Sequence, residues 1–298
     1  MKINHASLIT KVLLKYHKLF PDKRLNVLRT FGDLSHEMID FCKTYRGIID
    51  GLILDSGTWT LNNAVTELKH RITLSNYIAY LETFGDYFDL YFNFDSDFIG
   101  DVGETNYINQ VTMEGKGLAP VPIIHDIEGD EIKHYVDKGS EKYPIVAIGS
   151  TQMKKVSTLD YVMSQFEGTG IKIHLFGKCK FEFLANFPIY SCDTIAWSHR
   201  GQYGFIYYWN PNKEGVDKTD PVYMEEYLEA GKERKLTYSN YEYRYELDKY
   251  LFDKLGVTES DLLGQDGAFY KQLVNLHYYV QLEEIINKIH RQHGFNTE

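Results

Sequence analysis

Residues 144–176, PIVAIGSTQMKKVSTLDYVMSQFEGTGIKIHLF, carry two short apolar runs, Pro144–Ser150 and Ile171–Phe176, on either side of a stretch with helical spacing, Ser157–Phe166. A strand that is apolar along most of its length needs cover on both faces, and a helix between two such strands lets them lie parallel. The segment therefore reads as a β-α-β unit, and its rhythm extends in both directions. Upstream, Leu25–Thr30, Gly51–Asp55, Tyr87–Asp95 and Ala119–His125 read as strands, with helices over Ser35–Tyr45, Thr73–Phe84, Glu104–Lys116 and Glu131–Lys138. Downstream, Lys180–Asn186 reads as a short helix and Ile189–Ile195 and Tyr203–Trp209 as the last strands. Eight parallel strands close a (β/α)8 barrel of the TIM type. An open doubly wound sheet competes, but it usually shows a GxGxxG phosphate loop after its first strand, and none occurs here. Beyond Trp209 come a polar loop, Asn210–Asp220, and two helical stretches, Tyr238–Leu255 and Gly267–His290. We expect an α/β fold in one domain over residues 1–298: a barrel core at about 25–210 and a C-terminal helical extension at about 211–298.

Composition sets outer bounds. The chain has 298 residues, 43% hydrophobic, enough for a large core. Its formal net charge is −10, from 32 Lys and Arg against 42 Asp and Glu. That argues against a protein that grips nucleic acid through an overall positive field, while local basic grooves stay open. Lys11 to Arg24, Lys69 to Arg71, Lys178 with Lys180, and Lys232 to Lys235 are the candidates. The 24 Tyr and 17 Phe suit core packing and base stacking equally well. Cys42, Cys179 and Cys192 form no CxxC or CxC pair, so neither a disulfide framework nor a thiolate zinc site is expected. A reducing cytoplasm follows as the expected setting. The N-terminus has no apolar core of signal-peptide length, and no run approaches the roughly 18 apolar residues of a membrane span.

Three apolar runs end on an acid: Gly51–Leu54 on Asp55, Tyr87–Phe94 on Asp95, and Ile189–Cys192 on Asp193. In a parallel barrel the carboxyl ends of the strands share one mouth, where ligands bind. Each acid also has a plain structural reading, as a turn cap (Asp55), one of several solvated loop acids with Asp97 and Asp101 (Asp95), or an ion pair with Arg200 (Asp193). Together they gain a chemical reading. A carboxylate can attack a sugar carbon while a second group handles protons, and one aspartate can accept two hydrogen bonds from the edge of a guanine-like base. Ser56 can orient a neighbouring carboxylate, and Gly57, Gly149 and Gly177 permit close approach of backbone to a flat ligand. Ser150 and His125 also fall at strand ends, and Trp59, Trp197 and Tyr203 are rings available for stacking.

DSG at 55–57, the strand-end acid at 95, VAIGS at 146–150, HLFGK at 174–178 and YSCDTIAW at 190–197 occur in an order that resembles the tRNA-guanine transglycosylase superfamily. The likeness spans about residues 25–210 and is greatest to the short, mostly phage and bacterial branch of 7-deazaguanine DNA transglycosylases. The resemblance implies a (β/α)8 barrel that exchanges guanine in a polynucleotide for a 7-deazaguanine without breaking the strand. It implies Asp193 as the nucleophile at C1′, Asp55 as the general acid and base, and Asp95 as the reader of the base edge. It further implies Gly149, Ser150 and Gly177 as backbone around the base pocket. Members acting on tRNA carry a zinc site of closely spaced cysteines and a histidine near the C-terminus. Here no Cys follows Cys192, which favours DNA over tRNA, and with Asp55 handling the leaving group the resemblance implies neither metal nor cofactor. The expected partners are guanine-containing DNA and a free 7-deazaguanine base, with a homodimer or partner protein as a possible assembly. The alternatives are guanine exchange in tRNA, a non-catalytic nucleobase- or nucleic-acid-binding barrel, and a hydrolase of small nucleosides or sugars.

Overall fold

The computed structural model describes residues 1–32, 43–58, 72–95, 102–149, 152–224 and 236–297. The expected helix over Ser35–Tyr45 lies outside them as far as residue 42, as do the basic stretches Lys69–Arg71 and Lys232–Lys235. The chain divides into two compact units: Met1–Ser7, Leu25–Thr194 and Ile286–Glu298 form the first, and Leu8–Arg24 with Ile195–Ile285 the second.

In chain order the strands are β1 Lys2–Ala6, β2 Leu25–Thr30, β3 Ile49–Asp55, β4 Leu90–Tyr91, β5 Ile123–Ile124, β6 Ile145–Ile148, β7 Lys172–Leu175, β8 Ser191–Thr194, β9 Phe205–Trp209 and β10 Thr219–Tyr223. The first eight form one parallel sheet in the first unit, ordered β4-β3-β2-β1-β8-β7-β6-β5. Its two ends meet. Phe92 bridges Val121 in parallel, with Asn93 N–H donating to Val121 O and Val121 N–H to Tyr91 O, both at 2.9 Å. The result is the (β/α)8 barrel expected from the sequence. Its interior is a layer of residues from successive strands: Ala6, Leu28, Ile53, Phe92, Val121, Ile123 and Ala147, with Leu90, Ile145 and Phe176 against them. Dense filling of this kind makes the barrel a core rather than a pore.

The membership of the eight differs from expectation in two places. β1 was not anticipated, because Lys2–Ala6 (KINHA) interleaves polar residues with apolar ones. Those polar groups are buried and bonded: Asn4 Nδ2 donates to Cys192 O at 3.0 Å, and His5 Nδ1 lies 3.0 Å from Asn26 O. Conversely, β9 does not join the barrel. It pairs antiparallel with β10 in the second unit, so the count of eight survived an exchange of one strand for another.

The helices follow their local signals closely. Thr73, expected at a helix start, caps Leu74–Phe84 by accepting from Asn76 N–H at 3.2 Å. Glu131–Lys138, Val156–Phe166 and Phe181–Ala185 fall on the predicted stretches. The long helix is Gly267–His293, and its residues from Ile286 onward belong to the first unit. Within that unit Asn287 Nδ2 donates to Met1 O at 2.9 Å, and His290 Nε2 lies 2.7 Å from Leu184 O.

Within the second unit, Tyr207 stacks on Tyr278 with ring centroids 4.9 Å apart, and Tyr208, Tyr241 and Tyr279 are buried. In the barrel unit Tyr77 and Tyr135 are buried as well. Much of the tyrosine excess is therefore core. Among the described residues, no helix is long and apolar enough to cross a membrane.

Candidate active site

Side chains two apart on a strand share a face. Ile53 fills the barrel interior, so Asp55 lies on the same face one step nearer the carboxyl end of β3. The same step leads from Leu28 to Thr30, from Ile123 to His125, from Ala147 to Gly149 and from His174 to Phe176. The layer above the core at the mouth is thus set by strand parity.

Asp95 is the most tightly held of the three acids. It is 6% exposed. Its Oδ1 accepts from Ser56 Oγ at 2.8 Å and Thr58 Oγ1 at 2.6 Å, while His125 Nε2 lies 3.2 Å from Oδ2. A carboxylate offers about four acceptor positions, so protein groups occupy most of them.

Asp55 is partly buried, with Oδ2 accepting from Gly57 N–H at 3.2 Å. Its pKa is raised to about 7, first by burial and then by the negative charges of Asp95 and Asp193. Both of those charges thus lie within electrostatic reach of the Asp55 carboxyl. The turn after β3 requires glycine at 57, where φ is +83° and an added Cβ would sit 2.7 Å from Gly32 N.

Asp193 Oδ1 accepts from Gly177 N–H at 2.9 Å, and His174 Nε2 stands 3.5 Å from the same oxygen. Gly149 makes room for the His125 ring: a Cβ there would lie 2.9 Å from His125 Cε1. Cys179 and Cys192 form a disulfide with Cα atoms 6.2 Å apart, where the sequence pattern led to the expectation of no disulfide framework. Their 13-residue separation hides the fact that the turn after β7 returns to β8. The bridge ties the Gly177 turn to the strand that carries Asp193.

The structure thus gathers Asp55, Ser56, Gly57, Asp95, His125, Gly149, Gly177 and Asp193 in the barrel unit. Ser150, Trp59, Asp97 and Asp101 lie outside the described residues. Trp197 belongs to the second unit and is completely enclosed, so it offers no open face for stacking, unlike Tyr203, which is 65% exposed. Sequence reading missed Thr58, Ser191 and His174. His174 left a signal: it is a lone histidine in an apolar strand, at the parity of Phe176. Among the described residues no group of three or more His, Cys, Asp or Glu is placed to hold a metal ion. No family model, no curated protein and no solved structure matches this chain.

Proposed function

We propose that this protein is a transglycosylase that exchanges guanine in DNA for a 7-deazaguanine derivative through a covalent aspartyl-sugar intermediate. The observation that carries the reading is the convergence of three carboxylates of unlike environment at one barrel mouth. One has its pKa raised to about 7, one is wrapped in hydroxyls and a histidine, and one is pinned through a single oxygen. Paired acids whose surroundings push them apart divide the work of acid and nucleophile.

In this mechanism the target nucleotide is turned out of the stack to reach the carboxylates. Asp193 attacks C1′ as the bond from C1′ to the base nitrogen breaks. The guanine departs with the bonding pair and takes the proton of Asp55. The incoming 7-deazaguanine then gives its ring N–H proton to the Asp55 carboxylate, and its nitrogen displaces Asp193 from C1′. Two displacements retain configuration. Asp95 accepts from the Watson–Crick edge of the base, for which at least one of its present donors must yield.

The test is release of labelled guanine from duplex DNA when 7-deazaguanine is supplied, with a protein–DNA adduct trapped on a denaturing gel. Asp193→Ala is expected to lose both, and exchange retained in that variant would end the mechanism. Competition between DNA and tRNA in the same assay assigns the polymer.

A further inference from the structure

His174 lies inside the barrel, 1% exposed, with its ring centroid 4.9 Å from that of Phe92 and 4.8 Å from that of Phe176. A histidine among aromatic and aliphatic side chains costs stability unless both ring nitrogens are satisfied. Only one is: Nδ1 lies 2.8 Å from Ser191 Oγ, its register partner on β8, whereas Nε2 makes no hydrogen bond. That orphaned nitrogen points at Asp193 Oδ1 from 3.5 Å. The same oxygen already accepts from Gly177 N–H, and among the described residues Oδ2 accepts nothing.

Both contacts therefore fall on one oxygen and leave the other open. We infer that His174 is a positioning residue for Asp193. Ser191 donates to Nδ1 and fixes the tautomer with the proton on Nε2. The Nε2–H then closes onto Oδ1 beside the Gly177 amide, and Oδ2 is the atom that attacks C1′. The inference rests on the transglycosylase reading of this site. Its force is orientation: a carboxylate turned about its Cβ–Cγ bond presents the wrong lone pair, and misplacement by about 1 Å can cost about 100-fold in rate.

Three variants test it with guanine-containing DNA and 7-deazaguanine. His174→Leu keeps the volume and removes the donor. It is expected to lower kcat and the rate of adduct formation by roughly 10- to 100-fold while KM stays within about twofold. His174→Gln, whose amide nitrogen reaches where Nε2 lies, is expected to recover most of that loss. Ser191→Ala frees the ring and is expected to fall between them. Equal adduct rates in wild type and His174→Leu would overturn the inference and leave the function intact. Loss in the glutamine variant as deep as in the leucine variant, with both folded, would assign His174 to packing alone and overturn it too. If His174→Leu fails to fold, the glutamine and Ser191→Ala variants decide: wild-type rates in Ser191→Ala together with no activity in folded His174→Gln would overturn it. Absence of an adduct in wild type would remove the functional reading itself, and the inference with it.

Discussion

Asp55 ties function to pH through one carboxyl. Its folded pKa of about 7 lies above that of an ordinary aspartate, because burial and the charges of Asp95 and Asp193 disfavour its ionised form. Folding therefore favours the protonated acid. The associated stability is complete below about pH 4 and is lost as pH rises through about 7. Asp55→Asn removes this dependence. Relative to wild type, the variant should gain stability between pH 4 and pH 8, by roughly 1 to 3 kcal/mol once the partial exposure of the residue is allowed for. Chemical denaturation at the two pH values measures it, and an unchanged difference would show that Asp55 is not held protonated. In the proposed exchange reaction the same carboxyl would have to be protonated for the base to leave, so on that proposal the rate of guanine release should decline as pH rises past about 7. Of the candidate residues, the three acids were legible because each ends an apolar run. His174 and Ser191 were not, because a buried polar pair inside a strand differs from a surface one only by its partners.

At the scale of strands and turns, two glycines separate two kinds of constraint. At Gly57 the backbone itself is left-handed, and an added Cβ meets the backbone of Gly32, so neither strain nor overlap can relax by a side-chain shift. At Gly149 the neighbours are the His125 ring and the Ile123 side chain, at 2.9 and 3.0 Å. Gly57→Ala should thus lower stability by about 2 to 4 kcal/mol and Gly149→Ala by about 1 to 2 kcal/mol. Gly149→Ala should also displace His125 from Asp95 and raise KM more than it lowers kcat. Thermal melts and steady-state kinetics on the two variants check the order. Helices were legible from caps and spacing, as at Thr73, whereas strand identity was less so. β1 hid behind Asn4 and His5, whose side chains bond to β8 and β2, strands far away in sequence. β9 is aromatic and apolar enough to pass for a barrel strand, and only its pairing with β10 tells otherwise. The cysteine pair was illegible for the same reason: the contact is made by the turn after β7, not by spacing.

For the molecule as a whole, the alternation of apolar strands and helices was enough to name the barrel, since covering both faces of a parallel sheet leaves few other solutions. The division into two units was not visible, because the first is assembled from three separate stretches, with Leu8–Arg24 interrupting it and no linker-like Pro, Gly or Ser run marking either boundary. The barrel is also uneven around its circumference. β2 and β3 share a long register, while β4 and β5 have two residues each and meet through a single bridge. Local opening follows the weakest hydrogen-bonded stretch, so the amides of Asn93 and Val121 should exchange with deuterium earlier than those of Val27 and Leu28. Exchange at equal rates would mean that the ring opens as one.

That thin join has a sequel for ligand binding. Asp95 and His125 stand just past β4 and β5, and their 3.2 Å contact laces the two sides together above the backbone bridge. On the proposed function, a base that takes over Asp95 would cut this stitch and become the new lace. Occupancy by the right base should then firm the barrel wall at that place, and a poorly matched one should loosen it, so that selectivity is felt as cohesion of the scaffold.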